Sequence, residues 1–188
     1  SVALSTADSE SDRCQRVIES LKGTIQVPTL RLNTLPQYSP IRRSDWRAAL
    51  SDLPEALANQ WIETATFFAG QENSVSEQLS SWSLELVDAM QRAGVPIGAG
   101  TDTPIGQAIP GYSLHTELER LVDAGMSEQQ ALFAATVVPA MFLKLEGVMG
   151  QVKPGMEADL IVLADNPLDD IKHTRTIQAV ISDGVRVR

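Results

Sequence analysis

Histidine is scarce in this chain: His115 and His173 are the two present in 188 residues. Little imidazole is therefore on hand as a base or a ligand. Cysteine is scarcer still, with Cys14 alone. That excludes an internal disulfide and a C-x-x-C metal knuckle, and a lone thiol reads as a small half-buried side chain before it reads as a nucleophile. No apolar run approaches the roughly 18 residues of a membrane helix. The opening SVALSTADSESDR lacks both the basic and the apolar region of a signal peptide, so no membrane contact is expected and cytoplasmic is the default location. Positive charge is also in deficit, with 15 Lys and Arg against 24 Asp and Glu and a net charge of −9. The acids are scattered rather than gathered in a tail, which makes nucleic acid an unexpected partner. The first residue is Ser1 rather than Met, as expected of a segment from inside a longer gene product.

What is present is enough for a core. Apolar residues make up 43%, and the length allows one large domain or two small ones. SESDRCQRVIESL (9–21) has helical spacing after Ser or Asp caps, and Gly23 stops it. TIQVPTL (24–30) reads as a short strand that Pro28 ends or sends to an edge. Residues 31–45, with Pro36 and Pro40, read as a loop, and residues 44–70 as helices broken near Pro54 and closed by Gly70. The next helix, 74–94, places Leu79, Trp82, Leu86, Val87 and Met90 on one stripe and stops at Gly94. VPIGAGTD (95–102) follows as a buried strand whose glycines permit close approach. Helix, glycine stop, buried strand and polar loop are the local order of a parallel α/β fold.

SLHTELERLVDAG (113–125) gives a helix capped by Ser113 with Leu114, Leu118, Leu121 and Val122 on one face. Ser127 and Gln130 have capping-box spacing, and Pro139 suits the first turn of another short helix. Beyond Gly147 the pattern turns to strands. Pro154-Gly155 makes a turn before ADLIVLA (158–164), and AVISDGVRV (179–187) is a hairpin about Asp183-Gly184. The expected organisation is an α/β part over 1–147 and a small β unit over 148–188.

Asp102 stands where a parallel strand gives way to its loop, the place where barrel enzymes hold catalytic groups. A carboxylate there can bind a divalent metal or take a proton from water. It can equally cap the following turn or pair with a basic neighbour.

The series GVPIGAGTDTP, SLHTELE, G-x-x-x-PG-x-x-ADLIVL-x-x-NPL and IQAVISDG resembles the C-terminal part of the metal-dependent amidohydrolase superfamily, in its imidazolonepropionase-like and prolidase-like branch. The resemblance runs from about Gly94 to the end, and TIQVPTL resembles the preceding strand more weakly. It implies a TIM-like (β/α)8 barrel, here strands seven and eight with their helices, followed by the last strands of a small β-sandwich. It also implies a divalent metal centre, usually one or two zinc ions, hydrolysing amide or other C–N bonds. Asp102 matches the family's metal-binding, proton-shuttling aspartate at the end of strand eight. The family's His-x-His pair, bridging Lys or Glu and further histidines have no counterpart in this sequence, and a whole barrel takes roughly 250 residues.

The expectation is therefore a C-terminal segment of an amidohydrolase, inactive alone, that meets its small amide-type substrate only with the N-terminal half of the barrel on another chain or fragment. An open half-barrel exposes edges and apolar faces, so an oligomer or complex is expected. The alternative is a non-catalytic truncated or split-gene product that serves as a scaffold or partner-binding subunit. Thr103, Tyr112 and His115 are the further candidates for substrate contact, the last more readily read as structural at a helix start. His173 reads as a surface residue, and Trp46, Trp61 and Trp82 as core.

Overall fold

Two prolines limit the parallel pairing at the centre of the chain. In the computed structural model, which describes residues 8–71 and 74–188, segments 24–28 and 95–98 lie side by side and meet in a single parallel bridge, Gln26 with Ile97. The Gln26 N–H donates to the Pro96 carbonyl at 2.9 Å, and the Gly98 N–H donates to the Gln26 carbonyl at 2.8 Å. The next rungs of a parallel ladder would need N–H groups from Pro28 and Pro96, which have none. The expected strands over 24–30 and 95–102 are thus corrected to one bridge, with Leu30 already inside a helix. A Cβ on Gly98 would sit 3.4 Å from the side chains of Ile25 and Val27, and one on Gly100 would collide with Val27. The glycines of this segment serve the close approach of its neighbour.

Helices surround this pair. They are α1 (Asp12–Leu21), α2 (Leu30–Asn33), α3 (Ser44–Ala49), α4 (Glu55–Ala69), α5 (Ser74–Arg92), α6 (Tyr112–Asp123), α7 (Glu128–Ala135) and α8 (Val137–Phe142). Ser11 caps α1 by accepting from the Cys14 N–H, and the Ser127–Gln130 capping box of α7 is fully formed. Ser113 is not a cap. Helix α6 begins one residue earlier, after Gly111, and the Ser113 hydroxyl accepts from the Ile109 N–H at 2.8 Å.

The main core joins Ile18 of α1, Leu30 of α2, Val87 and Met90 of α5, Val95, Ile97, Leu118 and Leu121 of α6, and Ala131 and Ala134 of α7. Each large side chain buried there contributes roughly 1.5–3 kcal/mol. A second cluster gathers Trp46, Leu50, Ala65 and Ile109. Helix α5 is turned relative to the stripe read from its sequence. Ser80 and Ser83 are buried with Val87 and Met90, while Leu79 is 39% exposed. The small serines bring α5 close to α2, where Ser80 donates to the Asn33 carbonyl at 2.9 Å. Leu79, Trp82 and Leu86 are left lining a groove.

The regular sheet among the described residues is antiparallel. Strand β1 (Leu160–Leu163) pairs with β2 (Ile177–Ser182), which pairs with β3 (Val185–Arg186). Asp183 and Gly184 both take positive φ, 50° and 75°, as a two-residue hairpin turn requires. A 3-10 turn over Ile171–Arg175 ties this sheet to α6 and inserts Ile171 into the main core. No helix among the described residues is long and apolar enough to cross a membrane.

Candidate functional site

Asp102 sits in a turn that follows the second parallel segment. Its backbone is left-handed, with φ 49°, and its carbonyl accepts from the Ile105 N–H at 2.7 Å. Asp and Asn tolerate this region better than other residues with a Cβ. The side chain is exposed, and no hydrogen bond to its carboxylate is present among the described residues. Thr103 is exposed beside it, its hydroxyl 2.9 Å from that of Thr101.

The turn is held from below by Arg31, a buried arginine at the start of α2. Its guanidinium donates to three carbonyls, those of Thr101 at 2.9 Å, Ile105 at 2.9 Å and Gly106 at 2.6 Å. These carbonyls bracket Asp102 on both sides. Gly106, at φ 58°, leaves room for this seat, since a Cβ there would lie 2.7 Å from Leu32 and 3.0 Å from the Arg31 guanidinium. Trp46 adds a further anchor by donating from Nε1 to the Gln107 carbonyl at 3.1 Å. Burial lowers the Arg31 pKa, opposed by the charges of Glu117 and Asp102.

Arg31 is itself fixed by Glu117, a fully buried carboxylate on α6. One Glu117 oxygen accepts from the Leu30 N–H at 3.0 Å and the other from the Arg31 N–H at 2.7 Å. These are orphan donors of the first turn of α2, so Glu117 does for that helix what a cap does. Burial raises the Glu117 pKa to about 7, against the lowering effect of the two backbone N–H groups and of Arg31.

Tyr112 and His115 direct their polar atoms into protein. The Tyr112 hydroxyl donates to Asp45 at 2.7 Å, and the Arg175 guanidinium lies 5.0 Å from its ring centre. His115 Nδ1 is 2.9 Å from the Thr174 hydroxyl. Burial and then the charge of Arg175 lower the His115 pKa to about 4. Around them runs an ion-pair network in which Glu119, 3% exposed, binds Arg43 at 2.7 Å and Arg175 at 3.0 Å, while Asp45 binds both arginines at 2.8 and 3.0 Å. Burial would raise the Asp45 pKa, but its hydrogen bonds from Arg43, Tyr112 and Arg175 hold it well below the ordinary carboxylate range. His173 is half-buried, its Nδ1 2.8 Å from the Asn166 carbonyl.

Of the sequence-derived candidates, the turn therefore carries Asp102 and Thr103, whereas Tyr112 and His115 serve the joint between the 43–45 segment, α6 and the 171–175 turn. Arg31 and Glu117 were not foreseen. Glu117 did leave a signal, because positions 114, 117, 118 and 121 form one inward helical stripe with a single acid in it. Arg31 left none. As to a metal, no group of three or more His, Cys, Asp or Glu able to hold an ion exists among the described residues. Asp102 is a lone donor, and this chain's described residues do not by themselves form the centre that the sequence resemblance implies.

Over 106 residues, 55% of this chain, the sequence is 36% identical to ochratoxinase from Aspergillus niger, of which the match spans 21%. Among solved structures, a Xaa-Pro dipeptidase with methionine bound in its active site superposes with a TM-score of 0.64 at 24% identity, over 95% of this chain and 37% of that one. A prolidase candidate from Bifidobacterium longum gives 0.61 at 29% identity, over 87% and 35% of the two chains. This chain thus spans about a fifth of the curated relative and little more than a third of the solved ones. The model of the amidohydrolase family matches residues 11–188, nearly the whole sequence, and the chain belongs to that family.

Proposed function

We propose that this chain supplies the Asp102 face of a metal-dependent amidohydrolase that cleaves amide or related C–N bonds with water. The observation that carries the reading is Asp102 itself: an exposed carboxylate, free of protein hydrogen bonds among the described residues, at the end of a parallel segment in a chain of this family. Its work is to hold a proton, accepting it from the attacking water and passing it to the leaving nitrogen. Asp102 is also the one ligand the described residues lend to a divalent metal, zinc by the family resemblance, whose other ligands lie elsewhere.

The partner that completes the site is the N-terminal half of the barrel. A groove of about 330 Å³, lined by Leu21, Val27, Leu79, Trp82, Leu86 and Met90, runs along the 24–28 segment, and Val27 is 53% exposed there. An apolar groove beside a strand edge suits the packing of further strands and helices. The relatives named Xaa-Pro dipeptidase and prolidase make Xaa-Pro dipeptides the first substrates to try, and ochratoxin the second.

The test has two parts. The purified chain should carry no stoichiometric zinc by elemental analysis and should not hydrolyse the dipeptides. In the full-length parent, Asp102→Asn should lower kcat by about 10²–10⁴-fold, the usual worth of a positioned acid or base. Hydrolysis unchanged by Asp102→Asn would remove the role given to Asp102, and stoichiometric zinc on the isolated chain would show that the ligands were sought in the wrong place.

A further inference from the structure

The three carbonyls that Arg31 gathers come from both flanks of Asp102, and no other side chain among the described residues spans the turn in this way. Thr101 precedes the aspartate, Ile105 and Gly106 follow it, and the Ile105 N–H closes the turn back onto the Asp102 carbonyl at 2.7 Å. Among the described residues this buried guanidinium has three carbonyl acceptors and no carboxylate in hydrogen-bond contact. Both Glu117 and Asp102 lie within electrostatic range of its charge. The backbone that carries it is clamped in turn, because the two Glu117 oxygens take the N–H groups of Leu30 and Arg31. Hence a chain of contacts runs from the first turns of α6, through the start of α2, to the peptide units around Asp102.

We propose that Arg31 is the positioning residue of Asp102, fixing the direction of its carboxylate through the surrounding carbonyls, and that Glu117 is the anchor that fixes Arg31. The consequence for hydrolysis rests on the role given to Asp102 above. Arg31 touches no reacting atom. It holds the left-handed peptide of Asp102 in one conformation, so that the carboxylate does not have to be ordered anew at each turnover.

Hydrogen exchange in the chain as it stands tests the geometry without any activity. In Arg31→Met the Ile105 amide should exchange about 100-fold faster or more, since the turn loses three hydrogen bonds from a charged donor. The Ala131 amide, which donates to the Ser127 carbonyl at 2.9 Å in the first turn of α7, should keep its wild-type rate. Arg31→Lys, which keeps the charge but places its donors on one nitrogen instead of a planar two-nitrogen fork, should accelerate Ile105 by about 10-fold, and it decides the matter if the Met variant does not fold. An unchanged Ile105 rate in the Lys variant, or an equal acceleration at Ile105 and Ala131, would overturn the proposal. Glu117→Gln should reproduce the acceleration at Ile105 in weaker form, and no effect there would remove Glu117 as the anchor. In the full-length parent, Arg31→Lys should lower kcat with little change in KM, and it should cost nothing further in an Asp102→Asn background. An equal loss in both backgrounds would mean that Arg31 acts on activity by some route other than Asp102. If Asp102→Asn alone is without effect, the hydrolytic reading falls while the exchange result still decides the geometry.

Discussion

His115 Nδ1 lies 2.9 Å from the Thr174 hydroxyl, and that hydroxyl already donates its proton to the Ile171 carbonyl at 2.8 Å. The imidazole must then be the donor in this contact, which assigns the neutral tautomer with its proton on Nδ1. The ring is locked to the 3-10 turn that carries the β unit.

His115 and Glu117, two residues apart on α6, oppose one another in pH dependence. Burial holds the His115 pKa down at about 4, so its contribution to stability is present above its unfolded value of about 6.5 and is lost as pH falls through 4. Burial holds the Glu117 pKa up at about 7. Its contribution is complete below its unfolded value of about 4.3 and is lost as pH rises through 7. Between these limits the unfolded chain takes a proton on the histidine and gives one up from the glutamate, so the two slopes cancel. Urea denaturation of the wild-type chain should show little net pH dependence from this pair between about pH 4.5 and 6.5. His115→Asn should become less stable as pH rises across this range, by up to roughly 3 kcal/mol, because the unfolded chain releases the glutamate proton that folded Glu117 keeps. Glu117→Gln should show the reverse slope. Parallel slopes in the two variants would mean that these groups do not titrate as their burial dictates.

Glu119 is the carboxylate on which Arg43 and Arg175 converge. Replacing it by Gln leaves two mostly buried guanidinium groups with Asp45 as their remaining acid, and removing one partner of a buried pair costs about 3–5 kcal/mol. A fall of that size in the free energy of unfolding is expected for Glu119→Gln. A loss below about 1 kcal/mol would place the network with ordinary surface ion pairs.

Gly150 is held at φ 91°, where an added Cβ would lie 2.8 Å from the Thr136 carbonyl oxygen and 2.9 Å from the Ala140 Cβ. Both contacts are to atoms with little freedom to move. Gly150→Ala should therefore destabilise the chain by roughly 2 kcal/mol or more. Gly147→Ala, whose Cβ would meet nothing within 4 Å, serves as the control in the same thermal melts and should be close to wild type.

The legible parts of the molecule were those set by local chemistry. The Ser127–Gln130 box, the break at Pro54, the stop at Gly70 and the Asp183-Gly184 hairpin all stand where their residues put them, because each depends on neighbours a few positions away. The motif around Asp102 was legible for another reason, its resemblance to a known family. What sequence reading could not supply was long-range polar pairing. Arg31 reaches carbonyls 70 to 75 positions away, and Glu117 reaches backbone 86 and 87 positions away; no periodicity encodes such a contact. The turn of α5 escaped for a related reason. Ser80 and Ser83 carry no hydrophobic signal, and their inward position follows from the small size that lets α2 come close.

The single rung between Gln26 and Ile97 also sets the terms on which anything can be added to the other side. Gln26 turns its N–H and its carbonyl toward Pro96 and Gly98, so in an extended segment the main-chain groups of Ile25 and Val27 face away from that neighbour. The outer edge ends at Thr29, whose backbone is left-handed at φ 49°, and at the start of α2 at Leu30. An incoming strand finds a landing two residues long, with the Val27 N–H as its last donor. Such a short landing leaves an added strand little choice of register, so the turn at Thr29 that starts α2 acts as an alignment mark for it.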